Sequence, residues 1–390
     1  MKLAFYYHIT LHEHNNELLL PSYLGVFVDA LASEVEELYL LMHQANSTEC
    51  KEADYTLKRK NIRWINLGLK TPVWHRDIFH RRFLKNSLKK IDNCGAVIVR
   101  SPSPLAPYFK RYLNNQKLIY MVVGDYLESV KQWKLKSVRE WFELQYLRYN
   151  DWIFRQAIRD TDILVNSPVL FGKYKDIAKS INTIKTTTLS KYDFFSRKDT
   201  CQNDLVELLF TGRIDPLKGL FELIEAVAIL RSDGINVRLN IVGWESEEGK
   251  PVERELRNKI KNLNIVDYVI FHGRKSVGKE LNEMYRMADI YVLPSHEEGF
   301  PRTIWEAMAN GLPVITTNVG GIPKFLTHNE DVYMIKPKNS VFISDAIKLL
   351  ITNIELRQKL IKNGQKIAQE NTLEIQTKRI IEIVKSLINE

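Results

Sequence analysis

Apolar and polar positions along this chain fall into two patterns that alternate. Short apolar runs bounded by polar or turn-forming residues occupy 3–9, 37–42, 96–99, 118–123 and 163–166. Between them, at 22–33, 76–91, 104–113 and 138–159, apolar residues recur every three or four positions. The first pattern predicts strands and the second predicts helices. A polar stretch at 192–203, holding Arg197, Lys198 and Asp199, interrupts the alternation and predicts a linker. Strand-like runs then resume at 205–211, 237–242, 268–272 and 290–293, with a last short one within 326–338. Residues 341–389 read as helix almost throughout. Alternation of this kind predicts an α/β chain built on doubly wound parallel sheets. At 390 residues the chain exceeds what one core usually supports, so two domains are expected.

The stretch 288–317 carries the most chemistry. It predicts a buried strand ended by Pro294, a loop with Gly299, a helix opened by Pro301 and closed by Gly311 before Pro313, and a second strand at Val314-Ile315-Thr316. A loop at a strand's carboxyl end that runs into a helix is a natural anion-binding place in open α/β sheets. Two carboxylates frame it, Glu298 in the loop and Glu306 about one turn into the helix. Phosphate repels carboxylates, so their expected partners are hydroxyls of a ligand that carries phosphate elsewhere. A nucleotide-sugar supplies ribose diol, pyrophosphate and hexose together. Taken singly, either Glu reads first as a solvated surface charge, and it is the surrounding pattern that changes this.

Glu298 and Glu306, separated by seven residues, resemble the Glu-x7-Glu motif of retaining glycosyltransferases of family 4. Phe210-Thr-Gly-Arg-Ile-Asp-Pro-Leu-Lys-Gly219 is similar to that family's Gly-Arg…Lys-Gly segment. Ile241-Val-Gly243, Ile270-Phe-His-Gly273 and Gly320-Gly-Ile-Pro323 follow in family order, so the likeness covers roughly 205–335 and is looser before it. The resemblance implies the GT-B fold, two Rossmann-like domains facing each other across a cleft. An acceptor domain is expected at 1–195 and a nucleotide-sugar domain at 204–372, with a helix at 373–390 crossing back to the first.

The resemblance also implies roles. Gly212 gives a turn where amides approach phosphate, and Arg213 and Lys218 bracket a pyrophosphate as its negative charge grows. Glu306 would bind ribose hydroxyls and Glu298 the hexose near its 3- and 4-hydroxyls. Gly243, the segment Phe300, Pro301, Arg302 and Thr303, and Arg274 would line the donor, with Arg274 near the base. Arg302 departs from the family's small or apolar residue and reads either as a phosphate contact or as a solvent-facing cation. Asp125, after the strand at 118–123, reads either as a polar group beside the reacting carbon or as a helix cap. Where relatives have a Gly-Gly turn, this chain has Thr10-Leu-His-Glu-His-Asn-Asn-Glu17, which suggests a loop adapted to the acceptor. His12 and His14 lie there, with His8 just before it, without a clear carboxylate set, and no metal is expected. The implied reaction is retaining transfer of a hexosyl unit from a UDP- or GDP-linked donor, with no cofactor, to a saccharide or lipid-linked saccharide of bacterial envelope polysaccharide synthesis. A nucleotide-sugar epimerase of the same fold or a non-catalytic nucleotide-sugar-binding protein is the alternative.

Composition narrows the setting. Hydrophobic residues make up 45% and charged residues 26%, ordinary for a globular chain. Met1-Lys-Leu-Ala-Phe-Tyr-Tyr-His8 reads as a first strand rather than a secretory signal, and the isolated Cys50, Cys94 and Cys201 fit a reducing compartment, so a cytoplasmic location is expected. The formal charge of +9 is unevenly spread, with residues 1–50 at −6 and residues 51–200 at +16. Arg76, Arg81, Arg82, Lys85, Lys89 and Lys90 share one expected helix, and residues 131–159 mix cations with Trp133, Trp141 and Trp152. Both segments read as contacts with an anionic membrane, and the second equally as a helix packed on a sheet. No helix-turn-helix, zinc or RNA-recognition pattern and no Gly-x4-Gly-Lys-Ser/Thr loop supports nucleic-acid binding or a P-loop ATPase.

Overall fold

The structure, a computed structural model, describes residues 1–47, 49–71, 73–127, 138–245 and 249–389, without the side chains of residues 51 and 73–80. Contacts divide the chain into a first unit, Met1–Thr186 with Glu374–Glu390, and a second unit, Thr187–Leu373.

Strands of the first unit are β1 (Lys2–His14), β2 (Glu17–Leu20), β3 (Glu37–Gln44), β4 (Tyr55–Thr56), β5 (Ile62–Leu69), β6 (Ala96–Ser101), β7 (Lys117–Val122), β8 (Asp162–Val165) and β9 (Ser180–Thr183). Its helices are α1 (Ser22–Ser33), α2 (Val73–Leu88), α3 (Phe109–Tyr112), α4 (Val138–Ile158) and α5 (Pro168–Tyr174). The main layer runs parallel in the order β5-β3-β1-β6-β7-β8-β9. Side chains alternate across it with the period of two that a strand imposes. Ala4, Tyr6, Val97, Val99, Tyr120 and Ile163 join one core with Leu84 of α2 and Phe154 of α4. Leu3, Phe5, Ala96, Ile98, Ile119 and Leu164 join the other with Leu24 and Val28 of α1. The second core also takes Ile380, Ile381, Val384 and Leu387 of the terminal helix Leu373–Asn389, which thus packs on the first unit.

The stretch read as an acceptor loop is instead a hairpin. β1 continues to His14, turns at Asn15 (φ 49°) and Asn16 (φ 63°), and returns antiparallel as β2. A two-residue hairpin turn needs positive φ at both positions, which asparagine tolerates. β5 and β9 are strands that the apolar runs did not announce. The helix expected at 104–113 is two short pieces, the 3₁₀ turn Ala106–Tyr108 and α3.

The second unit has β10 (Val206–Thr211), β11 (Val237–Val242), β12 (Val269–Gly273), β13 (Ile290–Leu293), β14 (Val314–Thr317) and β15 (Tyr333–Ile335). Its helices are α6 (Leu220–Ser232), α7 (Pro251–Asn262), α8 (Lys279–Met287), α9 (Thr303–Ala309), α10 (Ile322–Phe325), α11 (Ser340–Thr352) and α12 (Ile354–Gln369). The parallel order β12-β11-β10-β13-β14-β15 reverses direction between β10 and β13. That is the Rossmann order, in which ligands bind outside the strands' carboxyl ends at the reversal.

The polar stretch expected as a linker belongs to this unit and is tied down. Arg197 donates to the carbonyls of Asn310, Ala288 and Tyr285 at 3.0, 2.9 and 2.9 Å. Asp199 accepts two bonds from buried Arg357 at 2.6 and 2.9 Å. Burial alone would raise the Asp199 carboxyl, but the bonds from Arg357 and the Thr200 N–H outweigh it and hold the group below its ordinary range. The pair therefore stabilises the fold above the unfolded carboxyl pKa of about 4 and loses that contribution as pH falls through the lower folded value. Arg357→Met should lower stability by about 3 kcal/mol near neutrality. Urea unfolding should show the gap from wild type closing below about pH 4, and a gap independent of pH would remove Asp199 from the account.

Candidate functional site

Two loops leave the sheet of the second unit at its reversal point. The first follows β10 through Gly212, exposed Arg213 and Ile214 to a 3₁₀ turn, Pro216–Lys218, which Asp215 caps by accepting from the Leu217 N–H at 2.9 Å. Gly219 then adopts φ 69° and opens α6; a Cβ there would lie 2.1 Å from the carbonyl oxygen of Pro294. The second loop follows β13 from Pro294 to Arg302. Its His296 N–H donates to the Leu217 carbonyl at 2.7 Å, and its imidazole Nε2 lies 3.0 Å from Glu222 Oε1 on α6. Helix, turn and loop are thus sewn together by backbone and side chain alike.

This seam brings Lys218 to Glu298. Lys218 Nζ lies 2.5 Å from Glu298 Oε1, and Ser295 Oγ donates to the same oxygen at 2.8 Å. Neither charge is fully withdrawn from water, with side-chain exposures of 18% and 10%. The carboxylate's loop is fixed from behind by Gly320, at φ 57°, where a Cβ would fall 1.6 Å from the Glu298 carbonyl oxygen. Gly321 N–H donates to Gly299 O at 2.7 Å. Only glycine fits such a φ and such an approach at low cost.

Glu306 is buried rather than solvated, at 5% exposure. Its oxygens accept from Thr188 Oγ1 and, at 2.8 Å, from Tyr285 OH. Tyr285 shares Thr211 Oγ1 with Tyr291, at 2.7 and 3.1 Å. Burial, then the nearby Glu306 charge, pushes the Tyr285 hydroxyl far above its ordinary range, so it stays a donor. Helix α9 begins at Thr303 with Arg302 as its N-cap, two residues later than the proline suggested. Pro301 instead precedes the cap, and the Phe300 ring stacks on Trp305 at 4.4 Å. Gly243 follows β11, its N–H donating to Gly273 O at 2.9 Å. Arg274, after β12, lies 5.1 Å from the Trp244 ring.

Lys218, Glu298, Gly212 and Arg213 therefore share the reversal point, with Glu306 on the helix that the second loop feeds. Asp125 stands in the first unit, after β7, where its Oδ1 lies 2.8 Å from Lys173 Nζ and accepts from Leu127 N–H at 2.9 Å. Lys173 also pairs with Asp151 at 2.8 Å. His12 Nδ1 lies 3.3 Å from Cys50 Sγ, and among the described residues no group of three or more His, Cys, Asp or Glu side chains could hold a metal ion. Among them too, no helix is long and apolar enough to cross a membrane. Of the basic and aromatic residues singled out in the first unit, Lys131 and Trp133 and the Arg76 side chain lie outside the described set. Sequence reasoning missed Ser295, His296, Thr188, Tyr285 and Trp244. Ser295 and His296 sit inside the motif stretch and were legible as its neighbours, whereas Thr188 carries no local signal.

Comparison with known proteins bears on the same region. The family model described as Glycosyl transferases group 1 matches residues 192–367, nearly all of the second unit. The capsular polysaccharide biosynthesis glycosyltransferase CapM of Staphylococcus aureus is 32% identical over 164 residues, 42% of this chain and 41% of CapM. The chain spans about two-fifths of the length of the first curated relatives it matches. Sucrose-phosphate synthase from Thermosynechococcus elongatus superposes with a TM-score of 0.76 at 18% identity, covering 100% of this chain and 99% of that one. Anabaena Alr3699/HepE, solved in complex with UDP-glucose, gives 0.74 at 17% identity, covering 99% and 100%. At these identities the likeness is one of fold, and the fold is GT-B.

Gly320→Ala tests the loop geometry apart from any activity. It should cost about 2–4 kcal/mol in a denaturant titration, because the new methyl meets a carbonyl and the φ is unfavourable. A loss under about 0.5 kcal/mol would show that the Glu298 loop is free to move away.

Proposed function

We propose that this chain, whose second unit is a glycosyl transferases group 1 domain, moves a hexosyl unit from a nucleoside diphosphate sugar to a hydroxyl of a saccharide or lipid-linked saccharide. The observation that carries this reading is the Lys218–Glu298 pair at the reversal point of a Rossmann-ordered sheet. It offers a cation and a carboxylate side by side, as a ligand with pyrophosphate next to sugar hydroxyls requires.

The second unit holds the donor and the first receives the acceptor. On donor binding, Lys218 turns from Glu298 to the pyrophosphate, joined by Arg213 from the same loop. Glu298 accepts from the hexose hydroxyls that replace the ammonium. Glu306 is already dressed by two hydroxyl donors, Thr188 and Tyr285, the kind of group a ribose presents. A ribose hydroxyl takes over from one of them. Gly212, Gly243 and the segment Phe300–Thr303 line the phosphate and sugar, and Arg274 with Trp244 flanks the base. HepE was solved with UDP-glucose, which favours a uridine donor here.

The anomeric configuration is retained. The bond from the anomeric carbon to the leaving phosphate breaks as the acceptor oxygen attacks from the same face. The departing phosphate oxygen takes the acceptor proton, so no covalent glycosyl-enzyme forms and no metal is needed. Lys218 and Arg213 stabilise the charge that develops on the leaving group. Asp125 serves the acceptor side through its place after β7. CapM's name supports a role in envelope polysaccharide synthesis. The basic excess of residues 51–200 suits an acceptor held at the cytoplasmic face of a membrane.

A thermal-shift screen with UDP, GDP, ADP and their hexose conjugates should give a clear stabilisation with one nucleotide, diminished in Glu306→Ala. No shift with any of them would overturn the donor reading. Lys218→Ala should weaken nucleoside diphosphate binding by roughly tenfold, and an unchanged Kd would remove its phosphate role. Glu298→Gln should lower kcat by about a hundredfold or more with the fold intact. Near-normal transfer would refute its role, and conversion of the donor sugar without any acceptor would point to an epimerase.

A further inference from the structure

The first unit has a reversal point of its own. Its order β5-β3-β1-β6-β7 turns back between β1 and β6, and their registered pairing ends at Tyr6 with Val99. β1 runs on to His14, but beside β3, after a register shift between Tyr6 and Thr10. The next residues on the two parting strands are Tyr7 and Arg100. Strand alternation sets both on the side that α1 covers, opposite to Tyr6 and Val99. In open α/β sheets a ligand binds outside the strands' carboxyl ends at such a reversal.

Arg100 is half-buried there between aromatic rings, its guanidinium carbon 4.6 Å from the ring centre of Tyr7 and 5.9 Å from that of Phe27 on α1. Its Nε is buried without a hydrogen-bond partner, and among the described residues no carboxylate pairs with the group. Asp29, the one acid of α1, is already taken by the Tyr55 hydroxyl at 2.8 Å and by the Lys58 and Arg59 N–H groups at 3.0 and 3.2 Å. The half-buried Arg197 and buried Arg357 are satisfied by contrast, the first by three carbonyls and the second by Asp199. A cationic donor withdrawn from water is costly until an acceptor meets it. The rings hold the flat faces of the guanidinium, which leaves its N–H edge to bind.

We infer that Arg100 anchors an oxyanion site at the reversal point of the first unit, and that its ligand is an acidic saccharide. A carboxylate or a phosphate ester accepts two parallel N–H bonds from a guanidinium edge, which a neutral hydroxyl cannot do. Tyr7 and Phe27 fix the plane in which those bonds are made. The inference rests on reading the first unit as the acceptor side, and it makes the acceptor anionic. Arg100 then sets specificity by charge: a neutral saccharide leaves the buried donor unmet, whereas an acidic one satisfies it.

Calorimetric titration of the full chain with glucuronate, glucose 6-phosphate and glucose tests the site without turnover. One or both acids should bind far more tightly than glucose, and which of them does so distinguishes a carboxylate from a phosphate ester. Arg100→Gln should weaken that binding by roughly ten- to a hundredfold. Arg100→Lys keeps the charge but not the planar fork and should weaken it by about fivefold. Both variants should keep the wild-type Tm, which separates lost binding from lost folding. Lys218→Ala, in the second unit, should bind the acids as wild type does. The inference is overturned if neither acid binds, if glucose binds as well as they do, or if the loss appears in Lys218→Ala instead of Arg100→Gln. Acid binding through Arg100 with no nucleotide shift would sink the donor reading alone; a nucleotide shift without acid binding would sink this site alone.

Discussion

The pairing of β10 with β13, through Leu208 with Ile290 and Leu209 with Tyr291, is the constraint on which the rest depends. Every other neighbour in that sheet follows chain order, and here the order turns back. Helices leaving the two strands therefore go to opposite faces, and the loops after them open a crevice between. Lys218 and Glu298, 80 residues apart in sequence, meet because of this register. So do His296 with Leu217 and Gly219 with Pro294. A slip of β13 by one residue would carry Ile290 to the other face from Leu208 and lose both the core and the crevice.

Beneath the crevice the packing is polar but satisfied. Glu306, Thr188, Tyr285, Thr211 and Tyr291 form a linked set of hydroxyls around one buried carboxylate. A buried carboxylate without partners costs several kcal/mol, and the Thr188 and Tyr285 hydroxyls that donate to it offset part of that cost. The set joins the start of the second unit, β10, α8, β13 and α9. A change at the carboxylate is therefore felt at the Thr188 segment as directly as in the sheet.

The regular frame was legible where period and punctuation agreed. The expected spans for α1, β11 and β13 match the observed Ser22–Ser33, Val237–Val242 and Ile290–Leu293, each bounded by Pro, Gly or polar residues. β5 was missed because Arg63 and Asn66 interrupt Ile62-Arg-Trp-Ile-Asn-Leu67, so no continuous apolar run forms. It lies at the end of the sheet, paired with β3 alone, and keeps one side partly wet. In α4 the sequence held too many apolar residues to say which side was the core; only packing separates Phe154 from Trp152. The motif stretch located Glu298 and Glu306, but not that one meets a lysine and the other two hydroxyls. Those partners come from distant segments, and no local rule connects them.

The resting pair also bears on what the site accepts. A ligand that brings phosphate alone draws Lys218 away and leaves Glu298, at 10% exposure, with Ser295 as its remaining partner. Half-buried carboxylates resist losing a counter-ion, so part of the phosphate's attraction is spent on that separation. A ligand that brings hydroxyls alone cannot displace an ammonium at 2.5 Å from its carboxylate. One that carries both groups at the right separation satisfies both side chains at once. On the function proposed above, the internal ion pair would favour an intact sugar nucleotide over either of its halves, through the cost of breaking the pair for anything less.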